Sequence, residues 1–274
     1  MMVEPFRRED IAAFLALAAA EGWLAEAWEF EFLLTVFPEG CFCVRDASGG
    51  GCGFVTAIRH GRSGWIGNLI VAQQMRGCGV GQLLFRNALA MLQACGTETI
   101  WLTASKSGRA LYERHGFSRV DTIIRWTAGG RQRHSAQSIP SGSVVSSVSV
   151  SAIDSLAWGD RRDELLEVVT GRGRLLLEET GFMVIQPCGG AVQFGPFTAL
   201  DSDTAARIFN HSLGSVPHGT RVYIDAPASN RAAFRFYNRK ALQVSGSTEL
   251  MYAGARPAYQ PEMLYGLATM GSCG

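Results

Sequence analysis

Gly77, Gly79 and Gly81 stand in the run Arg76-Gly77-Cys78-Gly79-Val80-Gly81, between an apolar stretch over residues 65–71 and an apolar-periodic segment over 81–94. Glycine takes positive φ without steric cost, so successive backbone N–H groups there can converge on one anion, and a helix N-terminus adds its dipole. Arg76 places a cation beside them. The chemistry on offer is capture of a phosphate or pyrophosphate. A Walker loop would continue Gly-Lys-Ser/Thr, but Gln82 and Leu83 follow Gly81. A dinucleotide fingerprint counted from Gly77 or Gly79 meets Gln82 or Leu84 in place of its last glycine. Nucleotide hydrolysis and Rossmann-type binding are therefore disfavoured. A glycine-rich turn with no ligand is the plain alternative.

Positioning such a loop requires a strand before it and a helix after it, and the periodicity supplies both. Helices are predicted over 11–20, 28–36, 81–94 and 108–114, and strands over 41–45, 53–59, 65–71, 99–103 and 120–126. Asp10 reads as the N-cap of the first helix. Residues 127–151 are rich in Ser, Gly and Gln and read as a linker, with valines alternating over 144–150 as one strand. Beyond it, helices are expected over 163–169, 203–212 and 230–240, with strands over 175–177, 182–186, 221–225 and 249–253. The segment Leu111-Tyr112-Glu113-Arg114-His115-Gly116-Phe117 aligns without gaps to Phe236-Tyr237-Asn238-Arg239-Lys240-Ala241-Leu242, so the fold reads as duplicated. The second copy has 195–201 at the strand-to-helix junction, without the glycine cluster or a basic residue.

At 274 residues, 47% apolar and 18% charged, the chain can bury two ordinary cores. Net charge is +1, and neither half is basic, which disfavours a nucleic-acid partner. Seven cysteines without Cys-x-x-Cys spacing suggest neither a disulfide framework nor a zinc site, but free thiols in a reducing cytoplasm; no metal is expected. The apolar run 11–20 follows acidic residues and lacks a cleavage site, and no stretch reaches the ~20 apolar residues of a membrane span.

The phosphate motif Arg76-x-x-Gly79-x-Gly81, the motif Leu111-Tyr112-Glu113 with Gly116-Phe117, and the order of elements resemble the GNAT superfamily of N-acetyltransferases. With Gly159-Asp160-Arg161-Arg162 opening the second part, the chain is similar to a two-domain bacterial branch with a degenerate acetyltransferase-like C-terminal domain. That resemblance implies an α/β (α+β) fold of tandem GNAT-like domains, each a mixed, mostly antiparallel sheet flanked by helices: 1–127 with an acetyl-CoA site, 128–151 linking, and 152–274 contributing to the acceptor site. It implies acetyl-CoA as co-substrate, pantetheine pairing with the backbone of Leu69, Ile70 and Val71, and pyrophosphate on the N–H groups of Arg76, Gly77, Cys78, Gly79, Val80 and Gly81.

The implied reaction is direct attack of an amine on a thioester, with Tyr112 as general acid; a helix tyrosine packed on the sheet is the other reading. Glu21, Glu26, Glu29 and Glu31 either attract a cationic amine, with Glu29 a candidate catalytic group, or form a solvated helix face. Asn68 either orients a water or acceptor, or is a satisfied strand amide. His115 is read as a surface residue, and His60, His134, His211 and His218 show no ligand spacing. The resemblance lapses at Gly108, where many GNATs have a cofactor-contacting asparagine. Asp160, Arg161, Arg162 and Asp225 are candidates for the interdomain cleft, or for an interdomain ion pair. The implied protein is a cytoplasmic monomer or homodimer acting on a small-molecule or peptide amine; the rival is a non-catalytic CoA-binding or regulatory module.

Overall fold

The computed structural model describes residues 2–129 and 147–274. The first half runs β1 (Val3–Pro5), α1 (Ile11–Ala20), α2 (Ala27–Val36), β2 (Phe42–Arg45), β3 (Gly51–Arg59), β4 (Ser63–Val71), α3 (Val80–Ala94), β5 (Thr99–Ala104), α4 (Arg109–Glu113) and β6 (Ser118–Gly129). The second runs α5 (Ser147–Trp158), α6 (Asp163–Arg172), β7 (Arg174–Glu178), β8 (Gly181–Cys188), β9 (Ala191–Ala199), α7 (Ser202–Ser215), β10 (Arg221–Pro227), α8 (Arg231–Arg239), β11 (Gln243–Gly254) and β12 (Leu264–Gly266). From α2 to β6 and from α6 to β11 the order of elements is the same.

The duplication reaches single hydrogen bonds. Phe117 N–H donates to the Tyr112 carbonyl and Leu242 N–H to that of Tyr237; Gly116 N–H donates to Glu113 and Ala241 N–H to Asn238. Gly116 and Ala241 both take positive φ, 83° and 59°.

Among the described residues, twelve strands form one sheet in the order β1-β2-β3-β4-β5-β11-β6-β10-β9-β8-β7, with β12 on β9. Among these described strands, β4–β5 and β9–β10 are the parallel pairs. The last long strand of each half lies in the other half's territory. β11 pairs antiparallel with β5 over Glu249–Gly254 opposite 99–104, while β6 pairs with β10 over Arg221–Pro227 opposite 123–129. A boundary at residue 127 in sequence is thus not a boundary in the sheet.

Helix burial follows the 3.6-residue period: Val80, Leu84, Phe85, Ala88 and Leu92 turn α3 onto the first half's core, and Ala205, Ile208, Phe209 and Leu213 do the same for α7. Between the halves, Trp158 of α5 meets Trp65 and Trp101 edge-on at 6.2 and 5.7 Å between centroids.

Several local expectations are corrected. Residues 147–150, read as strand from alternating valines, open helix α5, and 130–146, most of the linker and His134, lie outside the described residues. Alternation of Val with Ser does not discriminate when serine can face either way. Gly195 and Pro196 lie inside β9; the strand-to-helix junction is 200–201. Asp10 holds the N-cap position of α1, as expected, but makes no side-chain cap bond: its carboxylate accepts from Arg7 N–H and from the Arg45 guanidinium at 2.8 and 2.9 Å. A full charge in bidentate contact outcompetes a cap.

Candidate active site

Parallel β4 and β5 pair only over Ser63–Trp65 and Thr99–Trp101, then splay. A register shift in β3–β4 pairing lies between Phe54/Ile70 and Thr56/Gly67, and within it Asn68 takes φ 56°. The edge of β4 beyond the split has no strand partner toward β5 among the described residues. Leu69 and Val71 are half-buried and Ile70 is buried on that edge, where Arg76 Nε already donates to the Val71 carbonyl at 2.9 Å.

At the open end of the split lies the glycine loop. Gly77 and Gly79 have φ 78° and 81°, with open space where a Cβ would stand. Leu83 N–H donates to the Gly79 carbonyl, but among the described residues no acceptor takes the N–H groups of residues 77–82. Arg76 N–H itself is used, by Gln73. A notch of about 250 Å³ runs along these amides, lined also by Leu111 and Arg114. Free donors converging at a helix N-terminus, with a guanidinium across the notch, fit a pyrophosphate. Arg76 lines the notch while its guanidinium pairs with Glu21 at 2.5 Å; Arg114, two residues after Tyr112, is a second notch cation that sequence reasoning overlooked.

The split opens into a cavity of about 1110 Å³ between the halves. Glu29, Asn68 and Tyr112 all line it, so the three candidate catalytic residues are brought together. Tyr112 lies on α4, its ring against Phe85 and Phe117; burial pushes its hydroxyl up to about 12, so it stays protonated at neutral pH. Gly108 has a reason: a Cβ there would stand 3.1 Å from the Tyr112 ring. The Asn68 carboxamide donates to Thr56 Oγ1 and Ser272 Oγ at 3.0 and 2.9 Å.

Glu29 is 7% exposed, and its carboxylate accepts Glu26 N–H at 3.0 Å as the third residue of α2's capping box. Burial raises its carboxyl to about 7, against the opposing pull of the Ser272 hydroxyl. Of the glutamate cluster, only Glu31 lies on a solvated helix face without touching the cavity; Glu21, Glu26 and Glu29 line it.

The opposite wall comes from β6 and the second half: Arg125, Arg172, Gln186, Gln193, Tyr223 and residues 268–272. Glu26 joins the walls, accepting from Arg172 and from Gly189 N–H. Asp160, Arg161, Arg162 and Asp225 do not line the cavity. Asp160 accepts the N–H groups of Arg62 and Ser63, and the Arg161 carbonyl accepts Gly61 N–H, so these tie the halves together. Arg162 is buried on Asp154. Asp225 makes the interdomain ion pair that was the alternative to facing the cleft, holding Arg125 with two bonds of 2.7 Å. His115 packs beside Phe85, and buried His60 contacts the Cys273 carbonyl. Among the described residues no group of His, Cys, Asp or Glu could hold a metal, all seven cysteines are free, and no helix is long and apolar enough to cross a membrane.

Splayed parallel strands, a glycine loop at the following helix, and a tyrosine on the next helix define an acyltransferase scaffold, whose order of elements the second half repeats without the glycine loop. The acetyltransferase (GNAT) domain description matches residues 38–119, and a second model of the same description matches 150–266. The chain belongs to the GNAT acetyltransferases, whose members draw the acetyl group from acetyl-CoA. It is 26% identical over 217 residues to the uncharacterized N-acetyltransferase YitH of Bacillus subtilis, covering 73% of each chain. It is 39% identical over 70 residues to the [ribosomal protein bS18]-alanine N-acetyltransferase of Haemophilus influenzae, covering 24% of this chain and 48% of that one. Among solved structures, a GCN5-related N-acetyltransferase from Sphaerobacter thermophilus superposes with TM-score 0.67 at 17% identity, covering 97% and 98% of the two chains. A Pyrococcus horikoshii protein whose acetyltransferase assignment is itself provisional superposes with TM-score 0.83 at 23% identity, covering 99% and 95%.

Proposed function

We propose that the protein transfers an acetyl group from acetyl-CoA to an amine, with the cofactor site in the first half and an acceptor pocket walled in part by the second. The observation that carries this reading is the single cavity shared by Glu29, Asn68 and Tyr112 at the mouth of the β4–β5 split. The amides of residues 77–81 and Arg114 hold the pyrophosphate, and the free edge at Leu69 and Ile70 takes the pantetheine. Bound there, acetyl-CoA supplies the activated acyl group.

The chain's own residues then manage protons. An alkylammonium has a pKa near ~10, so a base must take its proton. Glu29 at about 7 in place of the usual 4.5 narrows that gap, a gain on the order of 3 kcal/mol. The Tyr112 hydroxyl is held as a donor and hydrogen-bonds the departing sulfur as its charge builds. The cluster of Glu21, Glu26 and Glu29 attracts a cationic acceptor.

Thiol release from acetyl-CoA over a panel of amines, including spermidine, lysine, glucosamine and a peptide beginning with alanine, tests the activity. Glu29→Gln should lower kcat by ~10²-fold or more. Because Glu29 ionises more readily in the unfolded chain, its charge favours unfolding as pH rises from about 4.5 to 7. The glutamine variant should therefore gain up to ~3 kcal/mol of stability at pH 8 and nothing at pH 4. Undiminished turnover in Glu29→Gln overturns the base assignment.

A further inference from the structure

The cavity wall opposite Glu29 carries the other sign of charge. Across β6 and β10, Arg125 pairs with Asp225, Thr127 with Tyr223, and Gly129 with Arg221. Side chains alternate along a strand, so Trp126, Val222 and Ile224 turn to the second half's core while Arg125, Arg221 and Tyr223 turn to the cavity. Arg125 is rigidly held. Its Nε and Nη2 each donate to Asp225 at 2.7 Å, that carboxylate is fully buried, and the guanidinium carbon stands 5.5 Å from the centroid of the Tyr223 ring. A guanidinium has five hydrogens to give and these bonds use two; among the described residues no hydrogen bond uses Nη1. Asp225 cancels the net charge of Arg125 but leaves those remaining donors free. Of the other two arginines lining the cavity, Arg172 is engaged by Glu26 and by the face of Trp28 at 4.1 Å, whereas Arg221 is exposed and has no ion pair among the described residues. Glu21 is matched by Arg76 and Glu26 by Arg172, so the groups left unmatched are Glu29 on one wall and Arg221 on the other.

We infer that Arg125 and Arg221 form an anion-recognition subsite, so that the acceptor is a small molecule bearing both an amine and an anionic group, a carboxylate or a phosphate. This rests on the reading of the cavity as the acceptor pocket. With the amine at Glu29 and Tyr112, the anion lies on the opposite wall. A guanidinium already fixed by Asp225 meets the oxygens of a carboxylate or phosphate with little rotamer freedom left to lose, and Arg221 supplies the net positive charge. The same wall rejects a polyamine, whose second cation meets like charge there. The second half thus selects the acceptor by its charge, while the first half binds the cofactor and carries the proton chemistry.

Matched probes isolate the anion from the rest of the molecule: lysine against cadaverine and tyrosine against tyramine for a carboxylate, glucosamine 6-phosphate against glucosamine for a phosphate. Each is titrated by calorimetry into the full chain saturated with CoA, so that a phosphate probe finds the glycine loop taken. In at least one pair the anionic member should bind ~10-fold or more tightly, the worth of one charge-assisted hydrogen bond, and the pair that responds tells carboxylate from phosphate. Arg221→Gln should erase that preference, and Arg125→Lys, which keeps the charge but loses the fork, should reduce it. In turnover both variants should raise KM for the anionic member far more than they lower kcat. An Arg125 confined to a structural role would lower the melting temperature in Arg125→Lys and leave the preference in place. Should that variant not fold, Arg221→Gln, at an exposed side chain, decides alone. Equal or tighter binding of the plain amine in every pair, or a preference untouched by these substitutions, overturns the inference. Binding of an anionic member without acetyl transfer to it or to any other amine would sink the transfer reading and leave the subsite standing; transfer to plain amines with no preference would do the reverse.

Discussion

The two halves contain the same wedge and use it in opposite ways. In the first, β4 and β5 part after three paired positions and the edge of β4 is left open from Leu69 onward. In the second, β9 and β10 pair at only two positions, and the gap is filled by the chain itself: β12 bonds to β9 at Phe197 and Thr198, and Leu267 N–H donates to the Asp225 carbonyl. Helix termini repeat the contrast. The amides of residues 77–82 face a notch, whereas at α7 the Asp201 carboxylate accepts the N–H groups of Asp203 and Thr204. Tyr112 borders a cavity, while Tyr237, fully buried, gives its hydroxyl to the Tyr265 carbonyl at 2.6 Å. A built-in strand, a built-in anion and a built-in acceptor occupy in one half positions that stand open in the other.

The largest test of this comparison is truncation. A chain ending at residue 151 lacks β11, which separates β5 from β6, so it should show no cooperative melting transition in circular dichroism. A sharp transition would mean that the strand exchange is dispensable. Next come the paired tyrosines. Tyr112→Phe should lower kcat by ~10²-fold or more with KM for acetyl-CoA little changed. Tyr237→Phe should leave kcat alone and cost about 1–3 kcal/mol in urea denaturation, because a buried carbonyl loses its donor. Equal effects on kcat would erase the distinction.

Smaller effects are expected at the helix termini. Asp201→Ala should cost about 1–2 kcal/mol without touching KM for acetyl-CoA. Gly79→Ala should raise that KM and add about 1–2 kcal/mol of left-handed strain. Smallest is the matched pair after the tyrosines: Gly116→Ala should destabilise by about 1 kcal/mol, and Ala241→Gly should gain up to a similar amount, read as opposite shifts in melting temperature.

The sequence by itself carried the glycine loop, the order of elements and the repeat, because each depends on local chemistry. Glycine spacing, helical period and strand alternation act over a few residues, and the aligned Tyr112 and Tyr237 segments keep even their individual hydrogen bonds. Where a signal was local but ambiguous it misled: the valines that open α5 alternate as a strand would.

Only the tertiary structure decided which carboxylates are buried, which half keeps an open wedge, and which half supplies each last strand. Glu29 and Glu31 are two residues apart on one helix, yet one is buried against the second half and the other solvated. Nothing in the small, unremarkable run 267–273 marks it as the crossing that brings Ser272 204 residues along the chain to Asn68. Desolvation and strand exchange are set by distant segments meeting, and those meetings leave no periodic trace in the residues that take part.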